Sequence, residues 1–335
     1  MAKPTMTDYV HIIFTLFDLF VQQYQHNCPA KQGKPYTFSE RAMIVLFTIL
    51  QFRRIFHFKA QRRWLVAHPE MLPLLHFKRV PHRTTLSRRY KQLYETIRAF
   101  IAFIGQYVAE LDPAFSSEHL VEDKSLFKAL GPVWHQSDRK EGHIPDKLRH
   151  LDTDATWSKS AYQGWVYGYG LHITCNEAAL PILVQVETAA YPESDVLDEK
   201  SEHILQVIQP ATMAADNKYT KAMRIRRWAK QGVALLTPAF KWVKGRYAQA
   251  YHRFIKEPNN SERLRRRGTS VEPLFDLVAK VLGTNGKHKQ LPIQRQVNVQ
   301  TCLALATLSV QISMIVNSIW GLPTRNVSVM AAAFT

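Results

Sequence analysis

The feature that most constrains this 335-residue chain is a change of pattern at Asp112-Pro113. Before it, apolar residues recur at helical spacing; after it, short apolar runs alternate with helix-like segments. The first 112 residues therefore read as all-helical. Ser39 is placed to cap a helix running to Arg54, with Ala42, Val45, Leu46, Ile49 and Leu50 on one face. Gln61–His68 reads as a second helix, and Val80-Pro81-His82-Arg83-Thr84-Thr85 as the cap of a long one from Leu86 to Leu111. Two readings fit the helix-turn-capped-helix order and the basic opening that holds Arg88, Arg89 and Lys91. One is a helix-turn-helix DNA reader; the other is a plain bundle with a cationic face.

Beyond residue 113 the strand-like runs are Glu118–Asp123, Trp165–Thr174, Pro181–Glu187, Thr212–Asp216 and Val233–Thr237. Val196–Gln209 and Thr220–Gln231 read as helices between them, which predicts an α/β sheet with covered faces. The polar stretch Arg139–Tyr162 reads as a surface loop. The expected organisation is a helical domain over 1–112, an α/β domain over 113–325 and a C-terminal tail over 326–335. From Gln296 to Pro323 no residue is charged, a length able to span a bilayer. Asn298, Gln300, Gln311 and Asn317 within it favour a buried core helix, and no membrane role is expected.

Charge narrows the partners. Lys and Arg number 44 against 27 Asp and Glu, a net +17. Such an excess opposes compaction unless a polyanion shares it, and nucleic acid ranks above a membrane surface because the cations cluster. One cluster holds Arg224, Arg226, Arg227 and Lys230; another, Lys241, Lys244 and Arg246; a third, Arg263, Arg265, Arg266 and Arg267. These runs flank two candidate acids, as a phosphate-gripping channel requires. Trp228 and Trp242 fit core packing better than base stacking. Cys28, Cys175 and Cys302 form no CxxC pair, so neither a zinc ribbon nor a disulfide framework is expected, and a reducing cytoplasm suits the chain.

Three carboxylates stand out. Asp123 ends an apolar run and precedes Lys124-Ser125; Asp216 ends Met213-Ala214-Ala215 and precedes Asn217-Lys218-Tyr219. An acid directly after an apolar strand is poorly hydrated unless paired or bound to metal. Glu272 lies in Thr269-Ser270-Val271-Glu272-Pro273, where Pro273 predicts a helix start at Thr269 or Ser270 and puts Glu272 in its opening turn. Taken singly, each acid has a plain role as a cap or a dipole partner.

In order and context the three resemble the core of bacterial insertion-sequence DDE transposases. Asp123-Lys124-Ser125 matches that family's first aspartate with a hydroxyl two residues on. Tyr167-Gly168-Tyr169-Gly170-Leu171-His172 matches its glycine-aromatic strand, and Glu187 to Asp195 loosely matches the loop that follows. Ala215-Asp216-Asn217-Lys218-Tyr219 matches the second aspartate, and Val271-Glu272-Pro273-Leu274-Phe275 the glutamate after an arginine-rich run. The matches span roughly residues 115–320. Two positions depart: Gly268 stands where the family often has Arg, and Ala279 where it often has Lys, so Arg267 and Lys280 are the nearest substitutes.

The resemblance implies a ribonuclease H-like mixed sheet flanked by helices. It implies two Mg²⁺ ions, or Mn²⁺ in their place, held by Asp123, Asp216 and Glu272. It further implies hydrolysis at transposon ends, transfer of the released 3′-hydroxyl to target DNA, a homodimer on double-stranded DNA with terminal inverted repeats, and a bacterial, nucleoid-associated setting. A catalytically decayed DNA-binding protein and a two-metal nuclease without joining activity remain the alternatives.

Overall fold

A computed structural model describes residues 3–25, 36–160, 163–238, 245–284 and 288–335. Cys28, Lys241, Trp242 and Lys244 lie outside them.

The N-terminal helices are α1 (Met6–Gln25), α2 (Glu40–Phe52), α3 (Phe58–Ala67), α4 (Met71–Leu74), α5 (Arg83–Gln92) and α6 (Tyr94–Leu111). Ser39 caps α2 by accepting from the Ala42 amide, and the His82 ring caps α5 by accepting from Thr84. The single long helix expected from Leu86 is instead two, α5 and α6, meeting at Leu93. There the Tyr90 carbonyl accepts from the Thr301 hydroxyl at 3.0 Å, which ties the end of α5 to a distant part of the chain.

The sheet comprises β1 (His119–Lys128), β2 (Thr156–Ser160), β3 (Gly164–Asn176), β4 (Pro181–Thr188), β5 (Thr212–Ala214) and β6 (Ala234–Leu236). The order is β2-β3-β1-β5-β6, with β4 also on β3. Pairings among β1 to β4 are antiparallel, whereas β1–β5 and β5–β6 are parallel. Helices α7 (Gln136–Lys140), α8 (Glu193–His203), α9 (Ala222–Lys230), α10 (Arg246–Lys256), α11 (Pro258–Leu282), α12 (Gln296–Ile319) and α13 (Val327–Phe334) complete the chain. The result is a mixed sheet flanked by helices, and one continuous apolar core joins α1, α2 and α6 to the strands and to α12.

Glycines admit the tight pairing of β3 on β1. A Cβ at Gly168 would stand 1.9 Å from the Phe127 carbonyl oxygen, and one at Gly170 would stand 2.6 Å from Lys124 Cε. At Gly168 the obstacle is backbone, so only a residue without a side chain fits; at Gly170 the Lys124 side chain would have to move.

Four expectations change. The polar stretch before residue 162 contains β2, a polar edge strand, and is anchored by Asp152, fully buried and accepting from the Tyr169 hydroxyl at 2.9 Å. Residues 326–335 do not hang free as a tail: α13 buries Phe334 against Tyr9 and Phe52. Asp123 sits in the middle of β1, opposite Ile173, not at a strand end. Finally, α11 starts at Pro258 and runs straight through Pro273, so Glu272 lies mid-helix and not in an opening turn. Pro273 has no N–H for the carbonyl of Thr269 four residues back. The Arg325 guanidinium supplies the missing donor at 3.2 Å, which lets the helix continue. The uncharged α12 is long and apolar enough to cross a membrane, yet 89% of its apolar window is buried within the protein.

Candidate active site

Parallel pairing of β1 with β5 ends at Val121 and Ala214. Asp123 and Asp216 each follow that last pair by two residues, so both emerge where the parallel pairing of β1 with β5 stops. In open α/β sheets this is where ligand crevices form. Here the crevice is a cleft of about 800 Å³ lined by Asp123, Asp216, Glu272, Glu193, Lys218 and Lys289, among others. The three acids singled out in the sequence therefore face one space, contributed by β1, the turn after β5, and α11.

Asp123 is the most perturbed of them. Burial raises its carboxyl to about 6, and the negative charges of Asp216 and Glu193 add to the rise. The Arg267 guanidinium and the Lys124 amide oppose it. Arg267 Nη1 donates to Oδ2 at 2.5 Å, and the Lys124 amide to Oδ1 at 2.8 Å. Asp216 caps a short 3₁₀ turn, its Oδ1 accepting from the Lys218 amide at 2.8 Å. The Glu272 carboxylate is exposed and folds back over residue 268, where an added Cβ would stand 3.2 Å from Oε1. The departure from arginine at 268 thus leaves room that the glutamate itself takes.

Sequence reasoning missed the charged groups that surround these acids. Glu193, in the first turn of α8, lines the cleft and accepts from Lys218 Nζ at 2.9 Å. Burial pulls the Lys218 ammonium down, but the Glu193 hydrogen bond and charge, with Asp216 and Asp123, leave it raised overall. Lys124 is drawn down to about 8 by burial, its Nζ donating to the carbonyls of Ala189 and Tyr191 at 2.9 and 3.0 Å. Lys289 reaches the Ser125 hydroxyl at 3.1 Å. The signal for Glu193 was weak: it adjoins Ser194-Asp195, the loosest part of the motif series.

The predicted phosphate contacts divide. Arg88 and Lys91 are exposed along a cationic groove between α3 and α5 that Lys59 and Arg83 also line. Arg89 is 2% exposed, stacked 3.7 Å over the Tyr36 ring and 3.7 Å from Glu40, so it packs the helices together instead of facing a ligand. Arg224 is likewise buried, bound to Asp198 at 2.6 Å and to backbone carbonyls. Arg226 is exposed over Tyr247, Arg227 pairs with Asp198, and Arg265 and Arg266 pair with Glu262 at the surface. Lys280 is exposed. Arg267 points into the fold at Asp123.

Hard oxygen donors are the right chemistry for Mg²⁺. Among the described residues no group of three or more His, Cys, Asp or Glu side chains is packed closely enough to hold a metal ion as it stands. The donor set fits in kind, with the basic groups Arg267 and Lys218 now interleaved among the acids.

No family model and no curated protein matches the chain. Among solved structures it is matched to a crystal structure of a pre-cleavage Mos1 transpososome, at 9% identity over 92% of this chain and 97% of that one. The TM-score of 0.19 is too low for that likeness to carry an argument.

Proposed function

We propose that the chain is a DDE-type DNA transposase on a ribonuclease H-like core. The observation that carries the reading is the opening of Asp123, Asp216 and Glu272 into one cleft, just past the last parallel pair of β1 and β5. The motif order in the sequence supports it independently. On this reading Asp123 and Asp216 hold the divalent ions and Glu272 completes the set. The ions supply a nucleophile and charge neutralisation at the scissile phosphate. Lys218 and Lys289, on the cleft walls, orient the phosphate by charge. Ser125 is fixed by Lys289 and carries no covalent role. The groove along α5, with Arg88 and Lys91, takes the DNA backbone, and a dimer brings two DNA ends together.

Mg²⁺-dependent cleavage of duplex DNA carrying the element's ends tests this directly. Asp123→Asn is expected to lower the rate at least about 10³-fold, the scale of losing a metal-held nucleophile, while DNA binding persists. Cleavage at the wild-type rate would sink the assignment. Supplying pre-cut 3′-ends separates joining from cutting: transfer into target DNA is expected, and cutting with no transfer would favour a nuclease.

A further inference from the structure

Asp123 already has partners on both sides of its carboxylate. Both of its carboxylate oxygens accept a hydrogen bond, one from the backbone of Lys124 and one from Arg267. The guanidinium stands 2.5 Å from Oδ2, where its positive charge opposes the approach of a divalent cation to that oxygen. Within the arginine run its neighbours are otherwise engaged. Arg265 and Arg266 turn outward to Glu262, and Arg263, one helical turn earlier, contacts His119 Nε2 at 2.6 Å. Gly268 presents no side chain. Arg267 is the arm of this run that reaches the Asp123 carboxylate.

The Arg267–Asp123 pair is not sealed: the two side chains are 23% and 18% exposed, so solvent reaches both partners. We propose that Arg267 is a resident counterion for Asp123, and that it must swing off that carboxylate before a divalent cation can sit there, which frees the guanidinium for a phosphate of bound DNA. This rests on the transposase reading above. It makes Arg267 a positioning residue in two states. Bound to Asp123, it holds the carboxylate in place before the ions arrive. Released, it adds a bidentate phosphate donor at the cleft once they are seated.

The test is calorimetric titration of Mn²⁺ into the full chain at pH 8 without DNA. Arg267→Met removes the competing charge and keeps the aliphatic arm. It is expected to tighten Mn²⁺ binding about ten-fold, roughly the worth of one charge-assisted hydrogen bond. Arg267→Lys, whose ammonium lacks the planar fork, is expected to fall between Met and wild type, and it decides the matter if the Met variant does not fold. Arg263→Met controls for loosening of α11 and is expected to leave Mn²⁺ affinity unchanged. If folded variants at 267 bind Mn²⁺ no tighter than wild type, or if Arg263→Met tightens it equally, the proposal is overturned. Wild-type DNA cleavage alongside that result would leave the transposase reading intact. Wild type that neither binds Mn²⁺ nor cleaves would remove both.

Discussion

Glu122 and Asp123 are consecutive residues of β1 that face opposite sides of the sheet, and each carries a basic partner. Behind the sheet Glu122 is fully buried, with Lys200 Nζ at 2.9 and 3.1 Å from its oxygens and the Thr174 hydroxyl donating to the same carboxylate. On the cleft side, Asp123 shares its carboxylate with Arg267 and stays partly open to solvent. The first pair is sealed in the core, each charge meeting the other there. The second carries a carboxyl held at about 6 by burial, beside two further acids whose charges add to the rise. Chemistry of one kind, a carboxylate beside a cation, serves packing where it is sealed and a site where it is not.

The sharpest way to break this contrast is to neutralise the two acids one at a time. Glu122→Gln strands the Lys200 charge in the core and is expected to cost about 3–5 kcal/mol, read by urea denaturation. A loss below about 1 kcal/mol would mean the rear pair is not the sealed element described.

Asp123→Asn has the opposite sign. Because the folded carboxyl titrates near 6 and the free one near 3.8, the native state holds its proton more tightly. Wild-type stability therefore falls as pH rises from about 4 to 6, and the full benefit is present only below that window. Asp123→Asn lacks this loss. It is expected to match wild type at pH 3.5 and to exceed it by about 2–3 kcal/mol at pH 7. An equal or larger stability of wild type at pH 7 would show that Arg267 more than compensates the burial of Asp123.

The smallest effect belongs far from the sheet. The double change Arg88→Ala and Lys91→Ala is expected to make the salt dependence of DNA binding shallower by about two in log–log slope, without loss of stability. Arg89→Ala, one residue over, should instead destabilise the fold, because Arg89 is buried against Tyr36. Equal salt slopes before and after the double change would remove α5 from the DNA surface.

What the sequence disclosed followed how local each cause was. The cap at Ser39, the apolar runs of β3 and β4, and the order of Asp123, Asp216 and Glu272 are written in neighbouring residues. The passage of α11 through Pro273 was not legible, because it depends on Arg325 reaching back 56 residues to the Thr269 carbonyl. The edge strand β2 was hidden by its polar composition, which is normal for an edge. Arg89 and Arg224 looked like surface cations until tertiary packing buried them. Glu193 and Lys218, 25 residues apart, meet only when α8 and the turn after β5 are folded against one another.

If the transposase reading holds, Asp123 on β1 and Asp216 just beyond β5 share divalent cations. Anomalous scattering from crystals of the full chain grown with saturating Mn²⁺ tests it most directly. The predicted result is a peak within inner-shell distance, roughly 2.1 Å, of carboxylate oxygens from both Asp123 and Asp216. Peaks only elsewhere, with those two carboxylates free of metal, would contradict it.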